Sequence, residues 1–302
     1  MGHDHHHHHH HSHNEVPARV GAAFIIGIIL NSAFVIVEAG VGFWTNSLGL
    51  LSDAGHNLGD VLSLVLALYA SKLALKKPGK QYTFGYRQST ILVALLNAVL
   101  LMLAMGGVAY EAIVRLNSPE PVQGKLIIVV ASIGIVINAA TALLFLRDKE
   151  KDINVKGAYL HMAADALVSL GVVVAGIIIL YTNWYWLDSV ISLIIVLVIV
   201  YGTWGLLKES LRLTLNAAPK EIDLDAIRKY FLELKGVASV HDLHVWAISA
   251  SETALTIHLV MPAGLPGDDF YKEIQEGLFH KFNIAHPTVQ IEKTQIDFDC
   301  GD

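Results

Sequence analysis

Long apolar runs separated by short polar segments dominate the chain between residues 20 and 207. A helix that crosses a bilayer needs about 20 mostly apolar residues. Six segments meet that test: residues 20–43, 47–73, 89–114, 125–146, 157–180 and 184–207. The second is the least uniformly apolar of the set. After Pro219 the pattern changes. Residues 222–234 repeat apolar positions at helical spacing, and residues 240–248 and 253–260 alternate as strands do across a polar turn at 249–252. Residues 267–282 are helical again, and residues 288–292 form a short strand. The order αββαβ predicts a small two-layer α+β domain with its helices on one face of a sheet. The expected organisation is a tail at residues 1–16, a six-helix transmembrane bundle at 17–212 and an α+β domain at 213–302.

Composition agrees with a membrane protein: 54% of the 302 residues are hydrophobic and only 16% are charged. The formal charge of −6 says little, because it sums over membrane and aqueous parts. Placement of the basic residues says more. Lys72, Lys76, Lys77, Lys80 and Arg87 flank the second connection between spans, Arg147, Lys149, Lys151 and Lys156 the fourth, and Lys208, Arg212 and Lys220 follow the sixth span. The alternate connections carry only Arg115 and Lys125. The positive-inside rule then puts both termini, and the α+β domain, in the cytoplasm. Trp44, Trp184, Tyr185 and Trp186 fit an aromatic belt at the opposite interface.

The first residues, MGHDHHHHHHHSHN, are not a signal peptide. They read either as a purification tag or as a native metal-loading tail. The run of seven histidines, flanked by His3-Asp4 and Ser12-His13, favours the tail. The single cysteine, Cys300, excludes an intramolecular disulfide.

Asp53, His56 and Asp60 lead directly into the apolar part of the second span. A charge at the centre of a bilayer costs at least ~2.5–3.5 kcal/mol, so these groups need partners. His56 and Asp60, four residues apart, share one face of a helix. The fifth span repeats the spacing with His161 and Asp165 in LHMAAD. One such pair reads equally well as a local ion pair that neutralises itself. Two matching pairs favour a shared site. Two nitrogens and two carboxylates complete the tetrahedral shell that Zn2+ accepts, with bonds of about 2.0–2.2 Å. Cu(I) prefers thiolate or thioether ligands, which these segments lack at matching positions.

Two carboxylates also balance a divalent cation, so the filled site is nearly neutral. Imidazole titrates near neutral pH, so protons can replace the metal. A site that faces each side in turn would exchange cation for H+. Asn31, Asn97 and Asn138 read as hydrogen-bond partners between helices. Glu38 reads as a bundle-facing group along the metal's path, and Asp188 as a cap of the sixth helix. Asp53 reads as an entry-side carboxylate or as a packing or capping group, outside the primary shell.

The chain resembles the cation diffusion facilitator family, especially its bacterial zinc-exporting members. The resemblance rests on SLGLLSDAGHNLGD, FGYRQSTILVALLNA, NVKGAYLHMAADALVSLGVV, VHDLHVWAIS and TIHLV, and covers nearly the whole chain after the tail. It implies a homodimeric cation/proton antiporter in the bacterial cell membrane. It also implies six transmembrane helices and a cytosolic domain of metallochaperone-like (ferredoxin-like) fold. His56, Asp60, His161 and Asp165 match the family's transport positions, with Zn2+ as substrate and Cd2+, Co2+ or Ni2+ as lesser ones. His241, His258 and Glu292 match positions that hold regulatory zinc in relatives, and His286 is a candidate fourth ligand. His244 reads as a surface or interface residue, His280 as solvated, and Cys300 either as a further ligand of that site or, the favoured reading, as an idle tail thiol.

Two departures stand out. Residues 76–83 lack the acidic and histidine residues of an additional loop site found in some relatives. Gln88 and Asn216 occupy the positions where relatives often carry a charge interlock, and Arg87 is the available substitute one residue away.

Proton-coupled export of a divalent metal is the leading function. A membrane metal sensor that binds without transporting is the alternative, although sensing needs no ligands buried in the bilayer. An intramembrane metalloenzyme would want a motif such as His-Glu-x-x-His and an open coordination position, and neither is present. The expected partners are the bilayer, divalent metal ions, protons and a second copy of the chain, with no nucleic acid.

Overall fold

The computed structural model describes residues 18–146 and 153–295; the histidine tail and Cys300 lie outside the described residues. Six long helices come first: α1 (Ala18–Thr45), α2 (Leu48–Ala74), α3 (Ser89–Asn117), α4 (Gly124–Phe145), α5 (Ile153–Thr182) and α6 (Trp186–Thr214). All six are long and apolar enough to cross a membrane. Then follow α7 (Leu224–Leu232), β1 (Ser239–Ala247), β2 (Thr253–Val260), α8 (Asp268–Phe282) and β3 (Ile284–Glu292). The predicted αββαβ order is present. The chain divides into two compact units, one of Met1–Val61 with Leu103–Val200 and one of Leu62–Met102 with Tyr201–Asp302.

In the first unit, α4 packs along both α1 and α5. Small residues allow close approach: a Cβ on Gly124 would lie 2.9 Å from the Gly176 carbonyl oxygen and 3.1 Å from the Leu180 nitrogen. Such small-residue contacts substitute for a hydrophobic driving force that lipid tails do not supply. The turn into α2 is held from elsewhere in the chain. Asn46, with φ +59°, receives two hydrogen bonds from Arg115, to its carbonyl oxygen at 2.6 Å and its side-chain oxygen at 2.8 Å. Ser47 then caps α2, its Oγ accepting from the Leu50 amide at 3.3 Å.

Asp188 completes that cap. The sequence suggests that it caps its own helix, α6. Instead its carboxylate accepts hydrogen bonds from the Ser47 hydroxyl (2.7 Å) and from the Leu48 and Gly49 amides (2.7 and 3.2 Å), all at the start of α2. The first amides of a helix lack partners inside it, and their partial positive charge favours an anion. A membrane helix end has few alternatives to such a partner. Glycine at position 49 keeps the approach open, since a Cβ there would stand 3.1 Å from the Asp188 oxygen.

In the second unit, the sheet order is β1-β2-β3, with β1 antiparallel and β3 parallel to the central β2. Ile227 and Phe231 of α7, Ile274 and Leu278 of α8, and Val245, Leu255, Ile257 and Leu259 of the strands bury one core. Asp223 caps α7 by accepting from the Asp225 and Ala226 amides. The third strand begins four residues earlier than residues 288–292 suggest, because Pro287 is tolerated on an edge strand, where one side needs no ladder bond. Asn216, at φ +60°, ends α6 in the left-handed conformation, with the Ala217 amide reaching back to the Arg212 carbonyl. It is therefore a helix stop rather than a charge partner.

Candidate metal centres

His56 and Asp60 project from one face of α2, and His161 and Asp165 from one face of α5. The two helices run antiparallel, so the pairs meet crosswise. His56 Nε2 lies 3.3 Å from Asp165 Oδ1, and His161 Nε2 lies 3.0 Å from Asp60 Oδ2. Within each helix the His–Asp separation is 3.6 Å. One ligand atom from each of the four lies within 4.8 Å of all the others. A tetrahedron with bonds of about 2.0 Å has edges of about 3.3 Å. The four His–Asp separations, which use both oxygens of Asp165, bracket that edge, so a cation can enter with side-chain adjustments.

The cluster is open on one side and sealed on the other. The side chains of Asp60 and His161 are 37% and 40% exposed, whereas that of Asp165 is 3% exposed. Asp53, one turn toward the start of α2, is fully buried and accepts a hydrogen bond from Ser169 Oγ at 2.9 Å. It does not join the four-residue group.

The second candidate centre lies in the α+β domain, where His241, His258 and Glu292 fall within the same 4.8 Å limit. His241 and His258 are direct partners in the β1–β2 register. Glu292, at the end of β3, reaches both: Oε2 stands 3.1 Å from His241 Nε2, and Oε1 stands 3.1 Å from His258 Nδ1. Replacing Glu292 with glutamine is expected to weaken metal binding by the soluble domain 10-fold or more, read by competition with a chromophoric chelator. The carboxylate supplies the only negative charge among those three ligands.

His286 does not join this group. It stands opposite Ala254, six residues before Glu292 and hence about 20 Å away along the strand at the usual rise. Its Nε2 is 3.0 Å from the Arg87 guanidinium, and its ring meets that of Phe84 edge-on. Its assignment as a fourth ligand is corrected accordingly. Arg87 in turn pairs with Glu252 at 2.7 Å, so it ties the segment before α3 to the β1–β2 turn and makes no bond to Asn216.

Asp242 is the residue that motif reading missed. The β1–β2 register shifts between His241 and His244, and Asp242 takes φ +50° there. The bulge turns its carboxylate toward His244 Nε2 (2.8 Å) and His258 Nε2 (3.4 Å). Its only signal in the sequence is its place inside HDLH. His244 is exposed, as expected, but tied to this carboxylate. His280, also exposed, lies on α8 and belongs to neither group.

A six-helix membrane bundle with a partly buried His/Asp cluster, joined to an αββαβ domain, defines a class of metal-handling membrane proteins. Residues 24–214 match the family described as the cation efflux transmembrane domain, and residues 219–294 match the cation efflux protein, cytoplasmic domain. The metal cation efflux system protein CzcD of Cupriavidus metallidurans is 39% identical over 88% of this chain and 85% of its own length. The zinc transporter ZitB of Pectobacterium atrosepticum is 37% identical over 93% and 87%. The cadmium, cobalt and zinc/H(+)-K(+) antiporter of Bacillus subtilis is 35% identical over 97% and 92%. The chain therefore belongs to the cation efflux family, the cation diffusion facilitators. It is a multi-pass membrane transporter and not an enzyme.

Proposed function

We propose that this protein exports Zn2+ from the cytosol in exchange for protons, by alternating access around His56, Asp60, His161 and Asp165. The observation that carries this reading is the meeting of two nitrogens and two carboxylates from α2 and α5, within 4.8 Å of one another, among helices that can span a membrane. Relatives named as zinc transporters and as a cadmium, cobalt and zinc antiporter support the substrate class. Cd2+, Co2+ and Ni2+ are accepted less well. Protons compete for the same imidazole and carboxylate atoms, which couples the two flows. Exposure of Asp60 and His161, set against burial of Asp165, supports a state open toward the C-terminal end of α2. The basic connections assign that end to the cytoplasm.

Residues 17–212 are the translocating domain. Residues 213–302 form a cytosolic domain that dimerises two chains and binds regulatory zinc at His241, His258 and Glu292. The sheet face that carries these histidines is the one opposite the helices, which leaves it free for a second copy. The membrane is the cell membrane of a bacterium, a reading that the bacterial source of the relatives supports.

The test uses full-length protein in phosphatidylethanolamine/phosphatidylglycerol vesicles with an imposed pH gradient. Zinc accumulation should follow the gradient, dissipate it in return and be slowed by competing Cd2+. Tight zinc binding with no flux at any gradient would instead make the protein a sensor.

A further inference from the structure

Three polar pairs run as successive rungs between the antiparallel helices α2 and α5. Asp60 meets His161, His56 meets Asp165, and Asp53 meets Ser169. The first two rungs make the four-residue cluster. The third lies three residues further back on α2 and four further on along α5, about 4.5–6 Å away at the helical rise. There α1 contributes Glu38, whose carboxylate is turned toward Asp53 and Asn57.

This third rung has more acceptors than donors. Glu38 and Asp53 are both fully buried. Neither oxygen of Glu38 takes part in a well-formed hydrogen bond, nor does Oδ1 of Asp53, and the Asn57 amide nitrogen faces Glu38 without completing one. The Ser169 hydroxyl supplies one hydrogen bond to Asp53. Buried polar groups are ordinarily paired, and an orphaned carboxylate pair in a membrane is among the costliest exceptions. A helix-packing role would be served better by neutral side chains. Two adjoining carboxylates that accept one well-formed hydrogen bond between them, from the Ser169 hydroxyl, match the oxygen shell that a divalent cation wants.

We propose that Glu38 and Asp53, with Ser169 beside them, form a second divalent-cation position on the sealed side of the His/Asp cluster, which the metal occupies on its way out. The proposal rests on the transport reading above. Oxygen-only ligation holds Zn2+ less tightly than the mixed nitrogen and oxygen shell. The position therefore serves as a release step rather than a store. Its short distance from the first site makes two divalent ions repel, so the two positions fill in turn and not together.

The experiment measures equilibrium binding of radioactive Cd2+ to full-length protein in lipid nanodiscs. In an Asp60→Asn/Asp165→Asn background the first site is disabled. The remaining cation should then sit at the third rung, and adding Glu38→Gln/Asp53→Asn should remove one bound Cd2+ per chain. The tail and the soluble domain contribute equally to both samples and cancel. Glu38→Gln and Asp53→Asn, each added singly, should weaken that residual binding at least 10-fold. With the first site intact, Glu38→Gln should slow zinc flux at least 10-fold and leave first-site affinity within 2-fold. Equal Cd2+ binding with and without Glu38 and Asp53 overturns the proposal and makes the pair a neutral, proton-sharing packing element. Failure of the transport reading is separate: it would show as flux surviving in Asp60→Asn/Asp165→Asn itself.

Discussion

Asp165→Asn is expected to abolish zinc flux in reconstituted vesicles, with Asp60→Asn close behind. Each carboxylate faces both histidines, at 3.3 and 3.6 Å for Asp165 and at 3.0 and 3.6 Å for Asp60. Neutralising one leaves the bound divalent ion with a net positive charge in a low-dielectric bundle. Breaking a buried charge pair costs about 3–5 kcal/mol, which is ~100-fold or more in affinity. The loss should be larger at Asp165, whose side chain is 3% exposed, than at Asp60, which water can partly compensate at 37% exposure. Flux assays paired with direct zinc titration check this order. Undiminished flux in both variants contradicts the assignment of the site.

Asp188→Ala is expected to be the most damaging single change away from any metal ligand. It strands the Ser47 hydroxyl and the Leu48 and Gly49 amides at the buried start of α2. Each unsatisfied buried donor costs about 1–3 kcal/mol. Together they should lower the melting temperature in detergent by roughly 10 °C. Asp188→Asn keeps one acceptor oxygen and should lose less than half of that. Because His56 lies only eight residues beyond Leu48, at the start of α2, flux should fall along with stability. A melting temperature unchanged in the alanine variant would mean that the helix end finds other partners.

Which features were legible in the chain follows from the range of the forces involved. Membrane spans are a property of about 20 consecutive residues, so the six helices and their order could be read directly. The His–Asp pairs could be read because a spacing of four on a helix is a local geometric rule. The αββαβ domain followed from the switch between helical and alternating periods. The extra length of β3 did not, because Pro287 argues against a strand until it is known to lie on an edge.

Partners distant in sequence were beyond that reach. That Asp188 serves α2 rather than α6 depends on two helix ends meeting across 140 residues. That His286 stands beside Arg87 rather than Glu292 depends on the parallel register of β2 and β3. Asp242 reaches His244 and His258 only through a bulge with positive φ, which no local propensity announces. The orphaned oxygens of Glu38 become visible only once α1 is packed against the α2–α5 pair.

Residue types and short spacings thus specify what each helix can offer: an imidazole and a carboxylate, one turn apart, in an apolar rod. Packing decides what they are offered to. Antiparallel contact of α2 and α5 crosses the two pairs, stacks Asp53 and Ser169 as a third rung and buries one side while leaving the other open. Side-chain chemistry is carried by the chain locally, whereas coordination geometry is a relation between elements that only their packing brings together.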